Sequence, residues 1–150
     1  PVVYIAQPRK RIVLPDWAVG VLSVLGLRAS DLILLQSPTS FSRLFVPQQA
    51  RIMSGPTLMP GYSNLFPFAP SAVPEVHDGP KRIYLSRSRH GHTGCFLGES
   101  YVERILETRA GFTVVHPEDL AVPQLVGLLR QAEMIVIAEG GAVHVLEITG

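Results

Sequence analysis

The sequence predicts an α/β fold in which a parallel β-sheet is covered by helices on both faces. Two observations indicate this fold. From residue 81 onward, short strands alternate with segments of helical periodicity. The predicted strands are apolar along most of their length, which is typical of strands buried on both faces of a sheet. Residues 81–150 are therefore predicted to form a Rossmann-like unit.

Length and composition limit the classes of protein. A chain of 150 residues with 47% hydrophobic content can build one core and is too short for two complete domains. A net charge of +1 gives no reason to expect a nucleic-acid partner. No apolar run approaches the roughly 20 residues of a membrane-spanning helix, so we expect a soluble chain. The single cysteine, Cys95, fits a reducing, cytoplasmic compartment.

The pattern of residues 1–53 predicts the element order β-α-β-β, and we interpret this segment as part of an N-terminal α/β lobe. The predicted helix lies at 16–27, where apolar residues recur at helical spacing. The predicted strands are Val2–Ile5, 31–35 and 43–46.

Residues 54–80 contain six of the thirteen prolines and no long apolar periodicity. Such a stretch is typical of a linker or an extended surface loop. We therefore expect a Pro-rich linker at 54–80, which separates the N-terminal lobe at 1–53 from a Rossmann-like C-terminal lobe at 81–150.

In that second lobe, strands are predicted at 82–86, 112–115 and 134–138. A helix at 99–109 joins the first two strands, and Gly111 is placed to end it in the left-handed conformation. The expected buried face of this helix comprises Tyr101, Val102, Ile105 and Leu106, and its expected solvent face comprises Glu99, Glu103, Arg104 and Glu107.

A second helix is predicted after 112–115, with Pro123 in its first turn and an apolar face that includes Leu125, Val126 and Leu129. A third helix begins at about Ala142 and is predicted to be unfinished at the last residue. Since the first residue is not a methionine either, we expect a sequence truncated at both ends.

Ligands of open parallel sheets bind outside the carboxyl ends of the strands, so the candidate loops are 86–98, 116–123 and 139–144. The first loop is cationic, with Arg87, Arg89, His90 and His92. Arginine side chains beside a helix N-terminus suit a phosphate or a diphosphate. The alternative interpretation is a solvated basic loop.

The third loop combines two glycines with two polar residues. Gly140 and Gly141 would let a ligand approach the backbone, while Glu139 and His144 lie near the end of a strand. A carboxylate can accept from sugar or ribose hydroxyls, and a histidine can donate to phosphate. The alternative is a structural turn in which Glu139 caps the following helix.

Two other kinds of site are not supported by the spacing. His90, His92 and Cys95 are possible zinc ligands, but no fourth ligand follows at a matching distance, so no metal is expected. The first loop reads G-x-x-G-x-x-x-G, which departs from the G-x-G-x-x-G of dinucleotide sites, and the sequence has no phosphate-binding G-x-x-x-x-G-K-[ST] stretch.

Several short motifs follow one another along 81–150 in a defined order. They are Ile83-Tyr84-Leu85-Ser86-Arg87, Leu97-Gly98-Glu99, Gly111-Phe112-Thr113-Val114-Val115, Gln124, 132–136 and 139–144. By order and spacing this segment resembles glycosyltransferase family 61, which includes bacterial capsular-polysaccharide-type transferases. The upstream segments 17–26 and 43–47 are similar to the family more loosely.

The resemblance implies a two-lobed fold of the GT-B type and an inverting glycosyl transfer. The substrates would be a nucleotide-sugar donor and a glycan or polysaccharide acceptor, with no further cofactor. Because the family's upstream His-containing segment is absent from this sequence, we assign no catalytic base and expect the fragment to be inactive alone. The alternative is a non-catalytic Rossmann-like domain that binds a nucleotide or another ligand.

The same resemblance implies roles for individual residues. Arg87 and Arg89 would bind the diphosphate, and Glu99 and Gln124, which match family positions, would support the loops. The complete expected donor-binding set is Arg87, Arg89, Glu139, Gly140, Gly141 and His144.

Overall fold

The computed structural model describes residues 2–5, 14–35, 37–46, 70–90, 94–138 and 140–149. Strands and helices alternate within 2–35 and again within 82–146. They are β1 (Val2–Ile5), α1 (Asp16–Val24), β2 (Leu32–Leu35), β3 (Arg82–Leu85), α2 (Glu99–Ala110), β4 (Thr113–Val115), α3 (Val122–Gln131), β5 (Met134–Ile137) and α4 (Val143–Leu146).

A three-stranded parallel sheet with the order β4-β3-β5 forms the centre of the C-terminal half. Ile83 in β3 lies opposite Thr113 in β4 and Ile135 in β5. From β3 the chain crosses through α2 to β4 on one side, and it returns through α3 to β5 on the other side. The predicted parallel sheet is therefore confirmed, and each strand is one residue shorter than the prediction.

Helices cover both faces of this sheet at β3. Ile83 and Leu85 are fully buried and pack with Leu125 and Leu129 of α3. The side chain between them, Tyr84, faces the opposite side because alternate residues of a strand point to opposite faces. Its hydroxyl contacts the first turn of α2. The mixed α/β architecture with helices on both faces is thus present.

Helix α3 links the two hydrophobic clusters of the described chain. Leu125 and Leu129 belong to the cluster on the sheet, whereas Val126 packs with Val24 of α1. The predicted apolar face of this helix and the position of Pro123 in its first turn are both confirmed.

Two glycines allow close packing around α3. A Cβ atom on Gly20 of α1 would lie 2.9 Å from Cβ of Val122 at the start of α3. A Cβ atom on Gly127, within α3, would lie 2.6 Å from the carbonyl oxygen of Pro74. Both distances are shorter than ordinary contacts between these atoms, so a larger residue at either position would force the neighbouring segments apart.

The N-terminal part is a β-α-β unit in which β1 and β2 are parallel. The predicted third strand at 43–46 is wrong, because these residues are irregular. Phe45 and Val46 are 79% and 81% exposed. Apolar residues form a strand only where a neighbour takes their backbone hydrogen bonds, and no described strand lies beside this segment.

The division of the chain into 1–53, 54–80 and 81–150 stays a prediction. Residues 54–69 of the predicted linker lie outside the described residues. The remainder includes a short 3₁₀ turn at Pro70–Ala72, and the next residue, Val73, is buried in the cluster that contains Val126.

The predicted orientation of α2 is wrong at its N-terminal end. Glu99 was expected on the solvent face but is only 2% exposed, whereas Tyr101, expected to be buried, is 60% exposed. The reason is chemical: the first turn of α2 lies against hydroxyl groups of Tyr84 and Ser86, which are partners for a carboxylate. The predicted end of the helix at Gly111 is confirmed, with φ 66°.

Helix α4 is a single turn, and it does not extend to the last residue as the sequence predicted. The chain turns after Leu146, and Ile148 is buried in the cluster with Val24. The Ile148 N–H bonds to the carbonyl of Val145, three residues back, which makes a turn and not a continued α-helix. Among the described residues, every helix is too short or too polar to cross a bilayer.

Candidate functional site

The carboxyl ends of β3, β4 and β5 bring parts of all three candidate loops to one edge of the sheet. Arg87 follows β3, His116 follows β4, and Gly140 follows β5. After β3 the chain adds β4 on one side of it, and then crosses over to add β5 on its other side. The direction in which strands are added therefore reverses between β3 and β5. In open α/β sheets such a reversal opens a crevice at the strand ends, and this crevice is where ligands bind.

The guanidinium group of Arg87 lies between two glycine residues. A Cβ atom on Gly94 would be 2.3 Å from Nη2 of Arg87, and a Cβ atom on Gly140 would be 2.0 Å from its Nη1. Gly94 also has φ 87°, a conformation that other residues rarely adopt. We call this arrangement the arginine slot. It shows that Arg87 meets the loop after β5, as its position on the neighbouring strand predicted.

The buried carboxylate of Glu99 holds the backbone at Arg87. Its Oε1 atom accepts a hydrogen bond from the Arg87 N–H at 2.7 Å and another from the Tyr84 hydroxyl at 3.1 Å. The Ser86 hydroxyl lies 3.3 Å from the same oxygen. Glu99 therefore bonds the main chain at the start of the loop that follows β3.

A second carboxylate, Glu103, lies one turn further along α2. Its Oε1 atom accepts hydrogen bonds from the hydroxyls of Ser86, at 2.5 Å, and Ser88, at 2.6 Å. His116 approaches the same carboxylate, with Nε2 3.9 Å from Oε1. The side chains of Glu103 and His116 are 16% and 14% exposed. This carboxylate therefore connects the loop after β3 with the loop after β4.

The environment shifts the pKa of two groups in this network. Burial tends to raise the pKa of Glu103, but hydrogen bonds from Ser86 and Ser88 and the nearby charges of His116 and Arg89 outweigh it, so the pKa lies below its ordinary value. Burial, together with the hydrogen bond and the negative charge of a neighbouring carboxylate, raises the pKa of Tyr84 to about 12.

Arg89 and His90 are paired with acidic residues of the loop after β4. The guanidinium of Arg89 contacts the carboxylate of Asp119, and both side chains are 55% exposed. His90 Nε2 lies 3.6 Å from Glu118 Oε2. The basic loop is thus joined to its neighbour by one exposed ion pair, Arg89–Asp119, and by the contact between His90 and Glu118. An exposed ion pair contributes little stability and can be exchanged for another partner.

The other predicted residues are spread over the site. His144 lies in α4 with its side chain 68% exposed, and its Nδ1 is 3.6 Å from Glu147 Oε1. Gly141 is exposed, and nothing lies within 4 Å of a Cβ atom placed there. The amide oxygen of Gln124 accepts from the Ala121 N–H, so this side chain caps α3. Glu139 and His92 lie outside the described residues.

Within the described ranges, no group of three or more histidine, cysteine, aspartate or glutamate side chains is arranged to hold a metal ion. Cys95 is exposed and reduced. In the same ranges, two buried side-chain atoms, Glu99 Oε2 and His116 Nδ1, have no hydrogen-bond partner.

Our reasoning from the sequence missed Glu103, Ser86, Ser88 and His116. A signal for the first was present, because Glu99 and Glu103 are four residues apart and therefore share one face of the helix. Once Glu99 is placed at the loop after β3, the same periodicity places Glu103 beside the serines on either side of Arg87.

A comparison with protein families identifies the family of this chain. The family model described as glycosyltransferase 61 matches residues 4–146, which include all three loops at the strand ends. No curated protein sequence and no solved structure matches the chain significantly. The match covers most of the 150 residues and confirms the resemblance seen in the motifs. The chain therefore belongs to glycosyltransferase family 61.

Proposed function

We propose that this protein takes its sugar from a nucleotide-sugar donor and that Arg87 binds the diphosphate of that donor. The observation that carries the proposal is the arginine slot, which holds a guanidinium group at the reversal between β3 and β5. A guanidinium group presents parallel N–H donors that match phosphate oxygens. Glycines on both sides leave room for the guanidinium group itself to lie against the backbone.

The proposed transfer is an inverting displacement. A hydroxyl of a glycan or polysaccharide acceptor attacks the anomeric carbon from the face opposite the diphosphate, and the bond from that carbon to the diphosphate oxygen breaks. The hydroxyl proton passes to a base, to which we assign no described residue. Negative charge collects on the departing diphosphate, where Arg87 would stabilise it as it develops.

Arg89 is proposed as a second cation for the diphosphate. Its present partner is Asp119, and this ion pair is half-exposed on both sides. Exposed ion pairs contribute about 0–1 kcal/mol, so exchange of the carboxylate for a phosphate would cost little.

The loop after β5 is proposed to bind the sugar-nucleotide part of the donor. Gly140 lies against Arg87, Gly141 has open space beside it, and the His144 side chain is mostly exposed. Glu139 belongs to the same proposal on its sequence position alone, between β5 and Gly140. In this proposal the backbone of the glycines approaches the donor, and His144 donates to it.

The wider setting is also proposed: its architecture and acceptor rest on the family, and its cytoplasmic location rests on the single cysteine and the composition of the sequence. We place this chain in a two-lobed enzyme of the GT-B type that acts in the cytoplasm on a growing glycan or polysaccharide. The donor is the only small molecule that this chemistry requires.

Calorimetry with UDP and other nucleoside diphosphates tests donor binding. The Arg87→Ala variant should lose about 1.5–3 kcal/mol of binding free energy, the usual contribution of hydrogen bonds to a charged group. This loss corresponds to roughly 10- to 150-fold weaker binding. Arg109→Ala is the matched control, because Arg109 is exposed in the last turn of α2. If Arg87→Ala and the parent bind with equal affinity, Arg87 does not bind the diphosphate and the loop is a solvated basic loop.

A further inference from the structure

The two serines on either side of Arg87 are anchored to a single carboxylate oxygen. The Ser86 and Ser88 hydroxyls donate to Oε1 of Glu103 at 2.5 and 2.6 Å. The backbone N–H of Ser88 in turn donates to the Ser86 hydroxyl oxygen at 3.0 Å. Arg87 therefore lies between two residues whose side chains are both fixed to α2.

Each serine hydroxyl has one proton and can donate it to one carboxylate at a time. Ser86 has one proton and lies closer to Glu103 than to Glu99, where the distance is 3.3 Å. Without Glu103 it can turn to Glu99. Within the described part of the chain Ser88 donates to no second carboxylate, so its hydroxyl depends on Glu103.

We propose that Glu103 is a positioning residue for Arg87. By accepting both hydroxyls it fixes the backbone of residues 86–88, from which the arginine side chain extends into the slot. Glu99 holds the N–H of Arg87, and Glu103 holds its two neighbours. That the ligand bound by the positioned Arg87 is a nucleoside diphosphate rests on the proposed function.

Removal of the Glu103 carboxylate shows whether it positions Arg87 or only lies near it, because the two cases predict opposite changes in diphosphate affinity. A carboxylate that only lies near an anion site repels a diphosphate, so its removal should strengthen binding or leave it unchanged. A carboxylate that positions Arg87 should weaken binding when it is removed, although a negative charge has been lost. The amide of Glu103→Gln keeps an oxygen that can accept both hydroxyls.

The first experiment needs no ligand. Hydrogen exchange of the Arg87 and Ser88 amides is measured by NMR in the full chain and in Glu103→Ala, Glu103→Gln and Glu107→Ala. We expect about tenfold faster exchange at these two amides in Glu103→Ala, which corresponds to the loss of about one net hydrogen bond. Rates in Glu103→Gln should stay within about threefold of the parent. Glu107, exposed one turn further on α2, is the matched control and should leave the rates unchanged. Unchanged exchange in Glu103→Ala would overturn the proposal.

The second experiment measures UDP affinity by calorimetry in the same proteins. We expect Glu103→Ala to bind about tenfold more weakly, Glu103→Gln to recover most of the loss, and Glu107→Ala to match the parent. Stronger or equal binding by Glu103→Ala would show that the carboxylate does not position the arginine. A parent that binds no nucleoside diphosphate would contradict the proposed function instead, and the exchange rates would still decide the role of Glu103.

A second variant covers the case in which Glu103→Ala does not fold. Ser88→Ala removes one of the two anchors and leaves the helix unchanged. It should speed exchange at Arg87 by about threefold and weaken UDP binding by a similar factor. Parental values for both measurements in Ser88→Ala would also overturn the proposal.

Discussion

Alanine in place of Gly140 is expected to displace the guanidinium group of Arg87. A Cβ atom at this position would lie 2.0 Å from Nη1 and 2.5 Å from Cζ of the arginine. Non-bonded atoms of this kind approach to about 3.5 Å, so the guanidinium group would have to move by roughly 1.5 Å. The obstructing group is the end of a flexible side chain and can move, but Gly140 has φ 158°, a conformation that residues with a side chain rarely adopt. We therefore expect a lower melting temperature as well, from strain in the backbone.

A shift of this size has a calculable effect on binding. Hydrogen bonds to phosphate require donor–acceptor distances of about 2.7–3.2 Å, so a guanidinium group displaced by roughly 1.5 Å no longer makes its original bonds. Gly140→Ala should then lose about 1.5–3 kcal/mol of UDP binding free energy, as Arg87→Ala does. The two substitutions remove the same interaction, and the double variant should bind no more weakly than either single variant.

Calorimetry of the two single variants and the double variant measures this coupling. Gly141→Ala provides the comparison, since nothing lies within 4 Å of a Cβ atom placed there and Arg87 stays in its slot. Whatever Gly141→Ala changes should add to the effect of Arg87→Ala. Parental affinity in Gly140→Ala, or additive losses in the Gly140 and Arg87 double variant, would refute the steric reasoning.

Two further predictions concern stability. Gly127→Ala should lower the free energy of unfolding by about 1–3 kcal/mol in urea titrations, because its Cβ would lie 2.6 Å from the Pro74 carbonyl oxygen; a loss below about 0.5 kcal/mol would show that the two segments separate easily. The raised pKa of Tyr84, about 12, means that the folded state keeps a proton that the unfolded state loses near pH 10. Stability should therefore fall as the pH rises from about 10 to 12, and Tyr84→Phe should reduce that fall in urea titrations across this range; an identical pH dependence in both proteins would contradict the assignment.

Periodicity predicted the elements whose buried faces are apolar. The strands around Ile83 and Ile135 and the helix with Leu125 and Leu129 were predicted correctly, because burial of hydrocarbon is the main force that positions them. The position of Arg87 at the carboxyl end of a central strand follows from the same strand assignment and from the alternation of strands and helices.

The same rule failed where polar groups are buried. Amphipathic patterns assign carboxylates to solvent, but Glu99 finds the Tyr84 hydroxyl and the Arg87 N–H on the inner side of its helix. A buried carboxylate is tolerated when such donors surround it. That partnership depends on how α2 docks on the sheet, which a linear sequence does not specify. At 43–46 the apolar pattern predicted a strand, but no described strand lies beside this segment and it is irregular.

The arginine slot also has an entropic consequence. A freely moving arginine side chain has about 2 kcal/mol of rotamer freedom, part of which is lost when a ligand fixes it. Here the guanidinium group is confined by two backbone segments before any ligand arrives. Most of that ordering therefore takes place during folding, and less of it remains for the binding step. Anion binding at this slot should accordingly show a smaller unfavourable entropy than binding to an arginine on an open surface.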